Sequence, residues 1–135
     1  MCNSLIFMTT TTSADVLANG IIPLATIQRR RGKWIQSGSN GVIVYAPSYY
    51  KVNAQVTFTG ASADDAVIEL QKNGVAIPGF TSSTTITTAD TEVRTLTISG
   101  IIRVFPNDGV ANLTLVNTGI GITTSNVALS VELLD

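Results

Sequence analysis

The sequence predicts an all-β fold, an antiparallel jelly-roll sandwich, and three observations carry that prediction. Apolar and polar residues alternate through YYKVNAQVTFTG, residues 49 to 60. An Asn-Gly pair separates two apolar runs in LQKNGVAIPGF, residues 70 to 80. No segment shows the period of 3.6 that an amphipathic helix requires. At 135 residues the chain fits one domain with a single core.

Residues 1 to 20 (MCNSLIFMTTTTSADVLANG) carry a four-threonine tract and no strand or helix period. They are predicted to form an N-terminal arm, leaving residues 21 to 135 as the jelly-roll domain. Within the arm, Leu5, Ile6, Phe7 and Met8 form an apolar plug suited to anchoring on a partner chain. The other reading of that run is an extra edge strand on its own domain.

From Ile21 onward the pattern is strands. Tyr50, Val52, Ala54, Val56 and Phe58 alternate with Lys51, Asn53, Gln55, Thr57 and Thr59, which predicts one buried and one polar face. Ile68 and Leu70 alternate with Glu69 and Gln71 up to Asn73-Gly74. That pair supplies the two positive-φ residues of a type I′ turn, so Val75 to Ile77 should pair back on residues 70 to 72. Pro78 lacks an amide donor and Gly79 loosens the backbone, so the returning strand should end there, at a sheet edge. Leu96 and Ile98 mark a further strand, followed after Gly100 by IIRVF. Pro106-Asn107-Asp108-Gly109 reads as a turn. Ala111, Leu113 and Leu115, then Val127, Leu129, Val131 and Leu133, mark the last strands. Short strands with turn signals every 8 to 12 residues are the pattern of a sandwich or jelly roll.

Composition narrows function by exclusion. Hydrophobic residues make up 44% and charged ones only 13%, about half the usual quarter. Thr, Ser and Asn fill the gap, which suits β-structure partly covered by neighbouring chains. Net charge is −1, so no long-range field gathers nucleic acid or presses the chain onto a membrane. Histidine is absent and Cys2 is the single cysteine. Zinc sites, Ser-His-Asp triads, Cys-His dyads and an internal disulfide are therefore excluded, and no cofactor is expected. Leu5 to Met8 is too short for a secretory core or a membrane span, which implies synthesis in the cytoplasm without a signal peptide.

Three clusters are candidate sites. Arg29, Arg30, Arg31, Lys33 and Trp34 are candidates for a partner-protein contact, since Arg and Trp are favoured interface anchors; a solvated loop is the plain alternative, and the acidic balance elsewhere disfavours nucleic acid. Tyr45 and Tyr49 are candidates for glycan contact through apolar ring faces, while alternation assigns Tyr50 to the core. Asp64-Asp65 and Asn107-Asp108 could offer oxygens to calcium, or serve as ordinary loop residues. Nothing selects a catalytic carboxylate pair from the chain's acids, and no nucleophile motif occurs, so an enzyme is not expected.

Residues 50 to 58 resemble the Tyr-x-Val-x-x-x-Val-x-Phe strand of the tumour-necrosis-factor-like and complement-globular-head-like jelly rolls. Residues 70 to 79 resemble the Leu-x-x-Asn-Gly-x-x-Ile/Val-Pro-Gly hairpin of the bacterial and phage branch of that family. The resemblance runs over about residues 20 to 135, to the ending Leu129-Ser130-Val131-Glu132-Leu133. Two departures stand out: Ser48-Tyr49-Tyr50 replaces the usual Gly-x-Tyr, and no collagen-like repeat precedes the domain, which counts against an exosporium stalk tip. The resemblance implies a homotrimer, with one sheet of each jelly roll packed around the axis. It further implies a non-enzymatic bacteriophage virion protein, a head fibre or capsid decoration on the virion surface. Its arm would dock to capsid or neck proteins at the base, and the apex loops would face solvent, with the loops near Asp64 and Asn107 displayed. The alternative is a surface adhesin or receptor/glycan-binding module, tail-associated or on a spore surface, contacting a host-surface glycan.

Overall fold

The structure, a computed structural model, describes residues 4–134; Cys2 lies outside them. In chain order the strands are β1 (Leu5–Thr10), β2 (Ala14–Val16), β3 (Gly20–Ile21), β4 (Thr26–Arg31), β5 (Ile35–Gly38) and β6 (Gly41–Val44). There follow β7 (Ser48–Gly60), β8 (Asp65–Lys72), β9 (Val75–Thr85), β10 (Val93–Val104), β11 (Ala111–Asn117) and β12 (Ile122–Leu134). A 3-10 turn, Pro106–Asp108, joins β10 to β11.

The strands form two antiparallel sheets, as the sequence predicts. The first has the order β10-β7-β12-β1-β4, with β2 also on β12; the second has the order β5-β6-β11-β8-β9, with β3 on β11. Alternation along β7 becomes pleat: Tyr50, Val52, Ala54, Val56 and Phe58 are all buried between the sheets. They meet Ile68 and Leu70 of β8, Leu113 and Leu115 of β11, and Val127, Leu129 and Val131 of β12 in one core. Full burial of each such side chain is worth roughly 1.5–3 kcal/mol. Tyr50 keeps its hydroxyl satisfied by donating to the Ala46 carbonyl, and burial pushes its pKa up.

The hairpin forms as its sequence dictates. Asn73 and Gly74 take φ of 53° and 83°, and Lys72 and Gln71 pair with Val75 and Ala76. The returning strand does not stop at Pro78-Gly79, however. After Gln71↔Ala76 the next pair is Glu69↔Thr81, so residues 77 to 80 bulge out opposite Leu70 and the strand resumes to Thr85. Gly79 at φ 86° absorbs the bulge, which turns Phe80 inward over Gly100 of β10. Pro78 is tolerated because β9 is an edge strand.

Two expectations are corrected. Residues 4 to 20 are not an arm. β1 lies between β12 and β4, and β2 continues along the same edge of β12, Ala14 opposite Thr124. Ile6 and Met8 are buried core residues, unavailable as a docking plug; only Leu5, half-buried, and Phe7, 37% exposed, face outward. The fold satisfies this run internally because β12 would otherwise leave its backbone groups unpaired along that edge.

The second correction concerns the loops. Asp64 follows Gly60, and Asn107 follows Val104, which pairs with Ser48. The two loops therefore lie at opposite ends of β7, roughly 40 Å apart at about 3.3 Å per residue. They cannot share one apex.

Candidate functional site

One end of the sandwich collects the groups that sequence reading singled out separately. Ser48 pairs with Val104, Ile35 with Val44, and Leu5 with Glu132. These registers bring Trp34, Tyr45, Tyr49 and Phe105 to the end where Ser4 and Leu134 also lie. Buried Ser4 fastens that end: its carbonyl accepts from Leu133 N at 2.8 Å and its hydroxyl from Trp34 N at 3.3 Å. The Trp34 carbonyl in turn accepts from Tyr45 N at 2.8 Å.

The basic run Arg29 to Arg31 is strand rather than loop. It forms the outer part of β4, the edge of the first sheet, and every residue of β4 is exposed. Among the described residues none of these arginines enters an ion pair. Lys33 sits 5.0 Å from the Trp34 ring centroid, a cation–π contact that orients the indole.

Tyr45 and Tyr49 are 42% and 51% exposed. Tyr49 is not a free stacking platform, because the Arg103 guanidinium lies 4.6 Å from its ring centroid. The same guanidinium lies 5.0 Å from the Phe105 ring, so it is held between two aromatic faces. Phe105 is positioned by Asp108, whose Oδ2 accepts from the Phe105 amide at 2.8 Å and pairs with Lys72 Nζ at 3.1 Å. The amide first and Lys72 second hold the Asp108 carboxyl below its usual range. Sequence reading missed Arg103 and Phe105. The signal was an arginine inside the apolar run IIRVF, but its partners come from other strands.

Charge is unevenly divided between the two ends, with Asp108 and Glu132 standing among the cations at the terminal one. Every cation except Arg94 lies in the half of the molecule toward the termini, while Asp15, Asp64, Asp65, Asp90 and Glu92 cluster toward the far end. Asp64 and Asp65 are committed to local bonds, accepting from Asp65 N and Thr85 Oγ1, each at 2.8 Å. Among the described residues no group of three carboxylates, cysteines or histidines could hold a metal ion.

The outward face of the first sheet is the other candidate surface. Its central cross-strand rows read Phe7, Ser130, Asn53, Ser99 and then Thr9, Ala128, Gln55, Thr97. Thr57 and Thr95 share a hydrogen bond of 3.0 Å in the next row. Between β1 and β10 the two central rows carry no charge, while Arg29 of β4 stands beside Phe7 at the edge of the sheet. Toward the termini, the row Leu5, Glu132, Lys51, Ile101 leaves Ile101 61% exposed. A shallow depression of about 370 Å³ runs beside Phe7, Asn53, Gln55, Thr97 and Ser130.

No family model and no curated protein matches the sequence. Solved structures do match in shape. Murine APRIL, in crystals at pH 5.0, superposes with a TM-score of 0.75 at 12% identity, covering 98% of this chain and 99% of that one. Eiger TNF from S. frugiperda gives 0.72 at 11% identity, covering 99% and 92%. Vertex protein P5 of PRD1 gives 0.62 at 11% identity, covering 100% and 99%. The chain therefore has the tumour-necrosis-factor-like jelly-roll fold, one shared by vertex protein P5 of PRD1.

Proposed function

We propose that this chain is a non-enzymatic structural protein of a bacteriophage virion, a homotrimeric head fibre or capsid-decoration protein. The observation that carries the reading is the outward face of the first sheet. Monomer surfaces ordinarily carry charge throughout, whereas the central rows of this face offer uncharged, short side chains, with charge confined to the margins where Arg29 adjoins Phe7 and Lys51 and Glu132 share the row of exposed Ile101. Such rows let a neighbouring copy approach closely without desolvating a charge. The likeness to vertex protein P5 over the full chain supports a virion role.

Attachment is assigned to the terminal end rather than to a separate arm. There Arg29, Arg30, Arg31 and Trp34 provide anchors of the kind that dominate interface energetics. Leu5, half-buried opposite Arg31 at that end, contributes beside them, while Phe7 belongs to the assembly face. The product is placed on the virion surface after synthesis in the host cytoplasm, with capsid or neck proteins as its partners.

Light scattering tests the assembly. We expect a mass about three times the 14.2 kDa of the chain, and Thr97→Arg, which sets three like charges around the axis, should yield monomers. A wild-type monomer at micromolar concentration would end the trimer reading. Cryo-microscopy of the native particle then tests the virion role.

A second reading, an adhesin or glycan-binding module, draws on exposed Tyr45 at the same end. A glycan array separates the two, since a decoration protein should show no saccharide preference.

A further inference from the structure

We infer that the cleft beside Arg103 binds a carboxylate carried on a short apolar group. The cleft holds about 240 Å³ and lies between two edge strands: Val75 to Pro78 of β9 form one wall, and Ile102 with Arg103 of β10 the other. It exists because the bulge at residues 77 to 80 lifts β9 away from a straight course.

Arg103 supplies the polar end. Its guanidinium is fixed between the Tyr49 and Phe105 rings, at 4.6 and 5.0 Å. Its Nε is buried without a partner, and among the described residues it joins no ion pair. The group can therefore meet its hydrogen-bonding demand only through its two terminal nitrogens, held as a planar fork. A carboxylate matches that fork with two parallel hydrogen bonds.

Lys72 also borders the cleft, but Asp108 already neutralises it at 3.1 Å. One uncompensated cation remains, which selects a monoanion over a phosphate dianion. The rest of the wall is aliphatic, with Val75 67% exposed and Ile102 buried behind it. An apolar body would cover this surface and exclude water from the charge pair, which strengthens it.

The probe is 4-methylpentanoate, with 4-methylpentanamide as its neutral counterpart, titrated into the full chain in its native assembly. Methyl resonances of Ile77, Ile102 and Val75 report binding. We expect saturable shifts with the acid and at least about tenfold weaker binding of the amide. Arg103→Met should erase the preference for acid over amide. Ala76→Phe, at an exposed edge position, should block both probes without touching the guanidinium. Equal binding of acid and amide to the wild type, or an undiminished preference in Arg103→Met, overturns the assignment. So does the absence of saturable shifts, including the case in which a second copy covers the cleft.

Discussion

Gly119 and Gly121 stand two residues apart in the same connection, yet the structure makes opposite demands on them. A Cβ on Gly119 would lie 2.5 Å from Val67 N and 2.6 Å from Asp65 O, both backbone atoms of β8. Neither can give way, because Thr118 N and Ile120 N are hydrogen-bonded to Val67 O and Asp65 O on the same stretch. A Cβ on Gly121 would meet nothing nearer than 3.8 Å. We expect Gly119→Ala to cost about 3 kcal/mol and Gly121→Ala less than about 0.5 kcal/mol, measured by urea denaturation. Asp108 offers a second test at this scale, because its folded pKa is depressed by the Phe105 amide and Lys72. Its contribution is fully present above the ordinary value of 3.8 and is lost as pH falls through the lower folded value. Asp108→Ala should therefore melt below the wild type at pH 7, and the gap should close toward pH 2. A gap that persists at pH 2 would mean that Asp108 acts through packing and not through its charge.

The decisive element is β1. Because it pairs with β12 on one side and β4 on the other, deleting residues 2 to 20 removes the whole flank of β12 as well as buried Ile6 and Met8. We expect that deletion to abolish cooperative unfolding and near-ultraviolet dichroism; a folded product would show the strand to be dispensable. β7, the β8–β9 turn and the closing strand were legible because each obeys a strictly local rule: period two, or the positive φ that Asn-Gly accepts. β1 was not, for a physical reason. Leu5 and Phe7 on its outward face are as apolar as Ile6 and Met8 on its inward face, so the alternation vanishes from the sequence. Pro78-Gly79 misled in the same way, since local chemistry predicts a stop while Phe80, buried over Gly100, holds the strand in register beyond the bulge. Of the site, Arg29 to Arg31, Trp34, Tyr45 and Tyr49 were visible by residue type. Their convergence on one end, and the stacking of Arg103 between Tyr49 and Phe105, depend on long-range pairing that no short window contains.

At the scale of the whole molecule, the separation of charge matters more than its sum. The chain is acidic by composition, with a net charge of −1 and a pI near 5.2. A uniformly mixed surface of that charge would pass through a cation exchanger at pH 7. Here Arg29, Arg30, Arg31 and Lys33 are concentrated on and just beyond one exposed edge strand, while the carboxylates of Asp15, Asp64, Asp65, Asp90 and Glu92 lie toward the opposite end. With a screening length of about 10 Å at 0.1 M salt, an anionic surface facing the basic end feels almost none of the distant carboxylates. Threefold assembly about the first sheet would align three such ends and multiply the effect. We expect the protein to be retained on a cation exchanger at pH 7 in low salt, despite its negative net charge, and to elute below about 0.2 M as screening sets in. Replacing Arg29, Arg30 and Arg31 together with Gln should abolish retention. Arg94→Gln removes an equal charge per substitution, but from beside Glu92 at the far end, so it should leave the elution position nearly unchanged. Flow-through of the wild type, or equal losses from the two substitutions, would show that the arginines on β4 are not the end by which this molecule meets an acidic surface.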